Sequence, residues 1–426
     1  MRKEQLLIPL VRQLAKRPAL AEAMFRFDPW GNPFSEAMVI DPMTMAPAMR
    51  KTGPVYWHRL YQQWFITGYD EAREILASPH VGTANQVEVL LDVTPYTKLS
   101  PRSRAFFQNL MLLTDPPQHT RQRGLVNRAF TPRQVNRLES MITSMVDELL
   151  ANIDLDGEVE VMEQFGFPLP AMVIAELFGF QRSDWRWLRE TSATVAAMVD
   201  PFRSFEVDDI DRAVDGLYDR VLALAAARRA EPTDDLITGL ALAEADGDRL
   251  SEDELVSVAG LILFAGHETT ASMIGLSVMM LRERPDQLAL LRTQPDLWPG
   301  AVEELLRFDP AVRTDPRTVL EDFEFGSHQF KKGQNIAVLP QMTNRDLRRF
   351  PDADELKVDR EDPAPLTFGH GIHYCLGANL ARAELRLSLP PLLNALDGHV
   401  VDPARITWRE SIALRGPTRF PVAPAS

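Results

Sequence analysis

The chain has 426 residues, a formal net charge of −14, 45% hydrophobic and 25% charged residues, and a single cysteine. This is the balance of a globular protein with chain enough for a large core, and the acidic surplus argues against nucleic acid or an anionic membrane as a general partner. One cysteine excludes an internal disulfide and any metal site built from several thiolates, and it fits a reducing cytoplasm.

In chain order, residues 1–34 read as a helical N-terminal extension. Leu6, Leu7, Leu10, Val11 and Leu14 recur at helical spacing, but Pro9 and Arg12 interrupt the apolar run, so neither a signal peptide nor a membrane anchor fits. Val55, Trp57, Trp64, Phe65 and Ile66 predict a strand pair between Gly53 and Tyr69, with a helix over 70–77. Residues 79–105 lack periodicity and predict a long loop with a short helix, of the kind that is functional or mobile. Thr131-Pro132-Arg133-Gln134 has the form of a capping box and opens a helix to about Ala151. Helices follow over 166–179, 184–199 and 208–230. Ser251-Glu252-Asp253-Glu254 is a second capping box, opening a helix to about Glu283. Short strands return from Thr318 to Leu339. The chain is mainly α with a smaller β portion, and no repeat or linker divides it, although length alone suggests two or three domains.

The helix from Leu255 to Leu281 is apolar on nearly all sides and predicts burial over about 45 Å. A membrane span is disfavoured by Ala265-Gly266-His267-Glu268-Thr269-Thr270 near its middle. A zinc-protease helix fails because Ala271 stands where His-Glu-x-x-His needs its second histidine. A carboxylate and a threonine this deep call for a polar partner, for which water in a widened turn is the expectation. Gly266 is expected to let a ligand approach the backbone, and Thr269 to bond a carbonyl of the preceding turn.

The cysteine lies in Phe368-Gly369-His370-Gly371-Ile372-His373-Tyr374-Cys375-Leu376-Gly377. A lone thiolate can serve an iron that already holds four other ligands, as haem iron does, and it favours O–O cleavage there. Glycines 369, 371 and 377 fit a tight turn whose N–H groups reach the sulfur. A buried structural cysteine is the competing reading.

This segment resembles the cysteine loop of the haem-thiolate monooxygenases, the cytochrome P450 (P-450) family, Phe-Gly-x-Gly-x-(His/Arg)-x-Cys-x-Gly, with every specified position filled. The central hexapeptide is similar to the family's oxygen-activating segment, and the resemblance runs in family order from about residue 35 to the C-terminus. It implies one large triangular domain over 35–426, of the soluble bacterial type, with haem b held between the long central helix and the cysteine-loop helix. Cys375 is then the axial iron ligand, in a loop whose Phe368 and Gly369 flank the haem. Thr269 would hydrogen-bond bound dioxygen, Glu268 would relay protons, and His119, Arg123, Arg317 and His373 would bind the propionates. Glu304 and Arg307 match the family's Glu-x-x-Arg pair. The usual third, basic partner is replaced by Glu355, and Arg360 is the candidate substitute.

The implied activity is insertion of one oxygen atom from O2 into an apolar small molecule. Electrons would come from a separate ferredoxin and its reductase, docking near Arg121, Arg128, Arg382 and Arg386 on the cysteine side, unless some of these arginines pair locally with Glu384. Val81, Val87, Leu90, Leu91, Val93, Phe106, Phe264 and Val312 are expected to line the substrate pocket. Two rival readings are a peroxide-using or non-oxidative enzyme of the same fold, and a haem-binding sensor or carrier.

Overall fold

The computed structural model describes residues 17–26, 28–30, 40–83, 86, 91, 96–129, 132–200, 205–245, 248–409, 411 and 413–425. Of the N-terminal extension, Pro18–Phe25 is helical. Thr131 of the first capping box, and Val87, Leu90 and Val93, lie outside the described residues.

The elements that position the site are, in chain order, β1 (Val55–His58), β2 (Gln63–Ile66), α1 (Tyr69–Ala77), β3 (Val81–Gly82), α2 (Pro101–Gln108), α3 (Gln118–Ala129), α4 (Pro132–Ala151), α5 (Pro168–Phe178), α6 (Trp185–Val199), α7 (Val207–Ala230), α8 (Glu252–Arg282), α9 (Trp298–Phe308), β4 (Asp315–Val319), β5 (Asn335–Val338), α10 (Ala378–Ala395), β6 (Thr407–Trp408) and β7 (Pro417–Arg419). One sheet has the order β1-β2-β5-β4-β3, with β5 parallel to β2 and antiparallel to β4. Ile66 and Val319 of this sheet pack with Ile75 of α1 and with Phe330 in a core of their own. The helices share a second, far larger core.

The central helix α8 starts where the capping box predicts. Ser251 Oγ accepts from Glu254 N (3.2 Å), and Glu254 Oε2 accepts from Ser251 N (2.9 Å). Its walls are α5, α6, α7 and α10. By length and composition α8 alone, among the described residues, is long and apolar enough to cross a membrane. Of its apolar window, 83% is buried inside the protein, which marks it as a core helix.

Phe106 fills the groove that Gly260 leaves on α8, where an added Cβ would stand 2.5 Å from the Phe106 ring. Phe106 and Leu91 therefore belong to the helical core and Val81 to the sheet core, and none of the three lines the cavity described below. They were expected in the pocket. An apolar residue in a loop looks the same in sequence whether it faces a ligand or a neighbouring helix.

Glu304 and Arg307 on α9 are both fully buried and meet two-pronged, Nε–Oε2 at 2.6 Å and Nη2–Oε1 at 2.8 Å. The remaining Arg307 donors reach the carbonyls of Asn344 (2.8 Å), Ala353 (2.9 Å) and Glu355 (3.0 Å). Arg360 supplies the third, basic partner, Nε to Glu304 Oε2 at 2.9 Å. The Glu355 side chain is exposed and lies near Lys357, so it leaves the network intact. Losing one member of a buried pair strands the other, at a cost of about 3–5 kcal/mol. Arg307→Ala should lower unfolding stability by that order in denaturant titration and reduce retained haem. Arg360→Ala, which leaves the two-pronged pair standing, should cost less.

Candidate active site

A cavity of about 730 Å³ lies between α8 and the loop that leads into α10. On one wall are Phe368, Gly369, His373, Cys375 and Gly377, and on the opposite wall Ala265, Gly266, Glu268 and Thr269.

The cysteine wall is a folded loop set by two positive φ angles, +72° at Gly369 and +75° at Gly371. Gly371 is required for a second reason, since a Cβ there would meet the Leu76 carbonyl oxygen at 2.4 Å. Cys375 N donates to Phe368 O (2.9 Å), closing the loop, and the Gly377 N–H reaches the sulfur. Burial pushes the thiol up, against the pull of that N–H and of Arg123 and Arg382. A coordinated thiol is deprotonated outright.

The edge of the cavity holds the predicted cations. His119 is buried with neither ring nitrogen partnered, and His373 Nε2 is also unpartnered. Their ring centroids are 4.2 Å apart. Burial lowers both, His373 to about 3, helped by Arg317, His119 and Arg123, so both rings are neutral N–H donors. Arg123 Nη2 donates to Tyr374 O (2.8 Å). Arg317 pairs with Asp315 and donates to Pro316 O (2.8 Å). Unpartnered buried imidazoles beside two guanidiniums suit an anionic acceptor, and a lone thiol lining a broad cavity suits a metal carried by its own flat ligand. Haem, with its carboxylate tails, fits both. His119, Arg123, Arg317 and His373 would hold the tails and Cys375 the iron.

On the other wall, Thr269 Oγ1 donates to Ala265 O (2.7 Å), as expected. Gly266 lines the cavity, but its small size is also demanded by Ile174 on α5, 2.8 Å from where a Cβ would stand. The widened turn expected here is a correction. α8 is α-helical from 252 to 282, and the partner of Glu268 is the guanidinium of Arg409, with both side chains under a tenth exposed. A cation so distant in the chain leaves no local signal by which it could be found. His267 is buried against Phe167 O (3.3 Å) and pushed down to about 4 by burial. Glu384 is buried with both oxygens unpartnered, and burial alone raises it well above the usual carboxylate range. It is therefore not the partner of the arginines that flank it. Arg382 pairs with Glu303 and lies over Phe368, 4.5 Å from the ring centroid. Arg386 pairs with Glu139 (2.5 Å), and Arg121 with Asp248 (3.2 Å) and Glu254. The Arg128 side chain lies outside the described residues.

A family model described as Cytochrome P450 matches residues 159–415. The chain is similar to cytochrome P450 107B1 of Saccharopolyspora erythraea, 38% identical over 85% of this chain and 89% of that protein. It is also similar to the vitamin D(3) 25-hydroxylase of Pseudonocardia autotrophica, 37% identical over 84% and 87%. Among solved structures, CalO2 superposes with a TM-score of 0.85 at 30% identity, covering 92% of this chain and 98% of that one.

Replacing Cys375 by Ser should abolish the long-wavelength absorption of the reduced, carbon-monoxide-bound protein, because a serine hydroxyl is a poor anionic donor at neutral pH. A wild type that retains haem but lacks that band would contradict thiolate ligation.

Proposed function

This chain belongs to the cytochrome P450 family, a monooxygenase with haem b as its cofactor, and we propose that it hydroxylates or epoxidises an apolar small molecule with electrons from a separate ferredoxin and its reductase. We read residues 35–426 as the monooxygenase domain and the cytoplasm as its location. The observation that carries the reading of the site is the facing of Cys375 and the Glu268–Thr269 pair across one cavity.

Bound haem, with thiolate behind its iron, supplies O–O cleavage and oxygen transfer. The chain supplies the rest. Thr269 Oγ1 presents a hydroxyl to the cavity while its own proton is held at Ala265 O. Glu268 is the group one residue away whose carboxylate can relay a proton from solvent towards Thr269. Met45, Met49, Phe65, Phe264 and Leu339 make the cavity wall apolar, which excludes water and favours a substrate without charge. Sterols and macrolides are the first classes to screen by binding spectra.

The electron donor is proposed to dock beside the cysteine loop. Ile372 and Tyr374 are exposed there, 49% and 40%, next to Arg382, whose Nη1 bonds the Tyr374 hydroxyl (3.2 Å). An apolar pair beside a cation suits an acidic partner with a small contact area. Arg121, Arg128 and Arg386 complete the proposed rim.

Thr269→Ala should keep substrate binding but divert electrons to hydrogen peroxide, read as peroxide formed per NADH consumed. Glu268→Gln should slow NADH-driven turnover by about 100-fold, the scale of a lost proton relay. Full coupling at the wild-type rate in both variants would refute these roles. Reversing Arg382 and Arg386 to Glu should slow ferredoxin-supported reduction and remove its salt dependence, while peroxide-driven turnover persists. Equal losses in both assays would mean that these arginines hold the cysteine loop instead.

A further inference from the structure

We infer that Arg409 is a positioning residue for proton delivery: it holds the Glu268 carboxylate against a hairpin that is itself a wall of the substrate cavity. This deepens the role proposed above for Glu268 and rests on it.

The hairpin is formed by β6 and β7, and the chain between them is pressed onto α8. Arg409 N donates to Gly416 O (3.0 Å). Gly416 lies against Ser272, one turn beyond Glu268, so closely that a Cβ would stand 2.5 Å from Ser272 Oγ. The tip is tied down from several sides. Ser411 Oγ donates to the carboxylate of Asp200, the residue that ends α6. Arg313 Nη1 donates to Ser411 O (3.1 Å), and Arg313 N to Ala413 O (2.9 Å). Arg415 Nε meets Asp309 Oδ2 at 2.9 Å. Arg409, Ser411, Ala413 and Leu414 all face the cavity. The cation that neutralises Glu268 is thus carried by the same loop that a substrate would press against.

Arg409 grips less firmly than Arg307 does. Its contact with Glu268 is an ion pair through Nη1 alone that lacks hydrogen-bond geometry, since Glu268 Oε2 and Arg409 Nε both have no hydrogen-bond partner, whereas Arg307 meets Glu304 with two prongs. A single contact is weaker and easier to break than a two-pronged one, as a carboxylate that must turn towards Thr269 requires. Two other titratable groups act on Glu268. His267 on α8 is neutral, and Arg189 on α6 is engaged by Glu163 at 2.5 and 2.7 Å. Among the described residues, Arg409 is the one cation in ion-pair contact with Glu268.

A buried carboxylate that loses its cation takes up a proton. In the haem-loaded, substrate-free enzyme at neutral pH, Arg409→Gln should therefore gain a protonated-carboxyl stretching band in difference infrared spectra. The band should be absent from Arg409→Gln/Glu268→Gln and from Arg409→Lys, which restores the charge. Under NADH with surrogate ferredoxin and reductase, Arg409→Gln should oxidise NADH roughly tenfold more slowly, because the carboxylate loses its fixed position, with Arg409→Lys recovering most of the rate. Ser411→Ala, which frees the tip from Asp200 without touching the pair, should show the same band more weakly. The carbon-monoxide band reports intact thiolate ligation in every variant. No new band in a folded Arg409→Gln overturns the assignment of Arg409, and no change in Ser411→Ala overturns the tether. Wild-type turnover in Glu268→Gln would instead overturn the proton-delivery reading on which both rest.

Discussion

The fully buried Arg307 guanidinium is the contact on which the geometry of the haem side depends. A charge taken wholly out of water is tolerated only when every donor is satisfied, and here the acceptors are the Glu304 carboxylate and three backbone carbonyls spread over residues 344–355. The path from α9 to the cysteine loop is therefore stitched by hydrogen bonds to backbone carbonyls as well as by the buried Phe350, Leu356 and Leu366. Asn344 continues it, donating to Thr367 Oγ1 (2.9 Å) and accepting from Leu366 N (2.7 Å), while Thr367 Oγ1 donates to Leu306 O (2.6 Å). Phe368 comes next, and the loop that presents Cys375 begins from a fixed point.

Opposite that loop, α8 is a core helix whose apolar surface is interrupted only where it faces the cavity. Ala265 is exposed and Gly266 and Thr269 half-exposed within a run of buried neighbours. The two walls differ in electrostatic character. The cysteine side gathers unpartnered imidazoles beside the Arg123 and Arg317 guanidiniums, and the α8 side holds a carboxylate ion-paired with Arg409. That arrangement suits an acidic cofactor on one side and an uncharged substrate on the other.

The cysteine loop, the capped start of α8 and the β1–β2 pair were legible because each is a local pattern. Glycine spacing, a capping box and alternating apolar residues act within one or two turns of chain. Glu304 and Arg307 were legible as a pair for the same reason, three residues apart on one helix face. The partners that come from elsewhere were harder to read. Arg360 was nameable as a candidate because the expected basic position held Glu355, whereas Arg409 was invisible, since nothing near Glu268 or near Arg409 announces the other. Phe264 and Val312 do line the cavity, whereas Val81, Leu91 and Phe106 failed for a related reason. Periodicity tells which residues avoid water, and both a cavity wall and a packed core satisfy that condition, as Phe106 against Gly260 shows.

The contact between Gly371 and the Leu76 carbonyl has a mechanical consequence. Leu76 belongs to the sheet's core and α10 to the helical core, so the loop bearing Cys375, the proposed iron ligand, is clamped at the seam between two separately packed bodies. Any slippage along that seam displaces the sulfur before a single helix has unravelled. On heating, the optical signature of the iron–sulfur bond should act as a strain gauge for the seam, decaying while far-ultraviolet circular dichroism still reports full helix content.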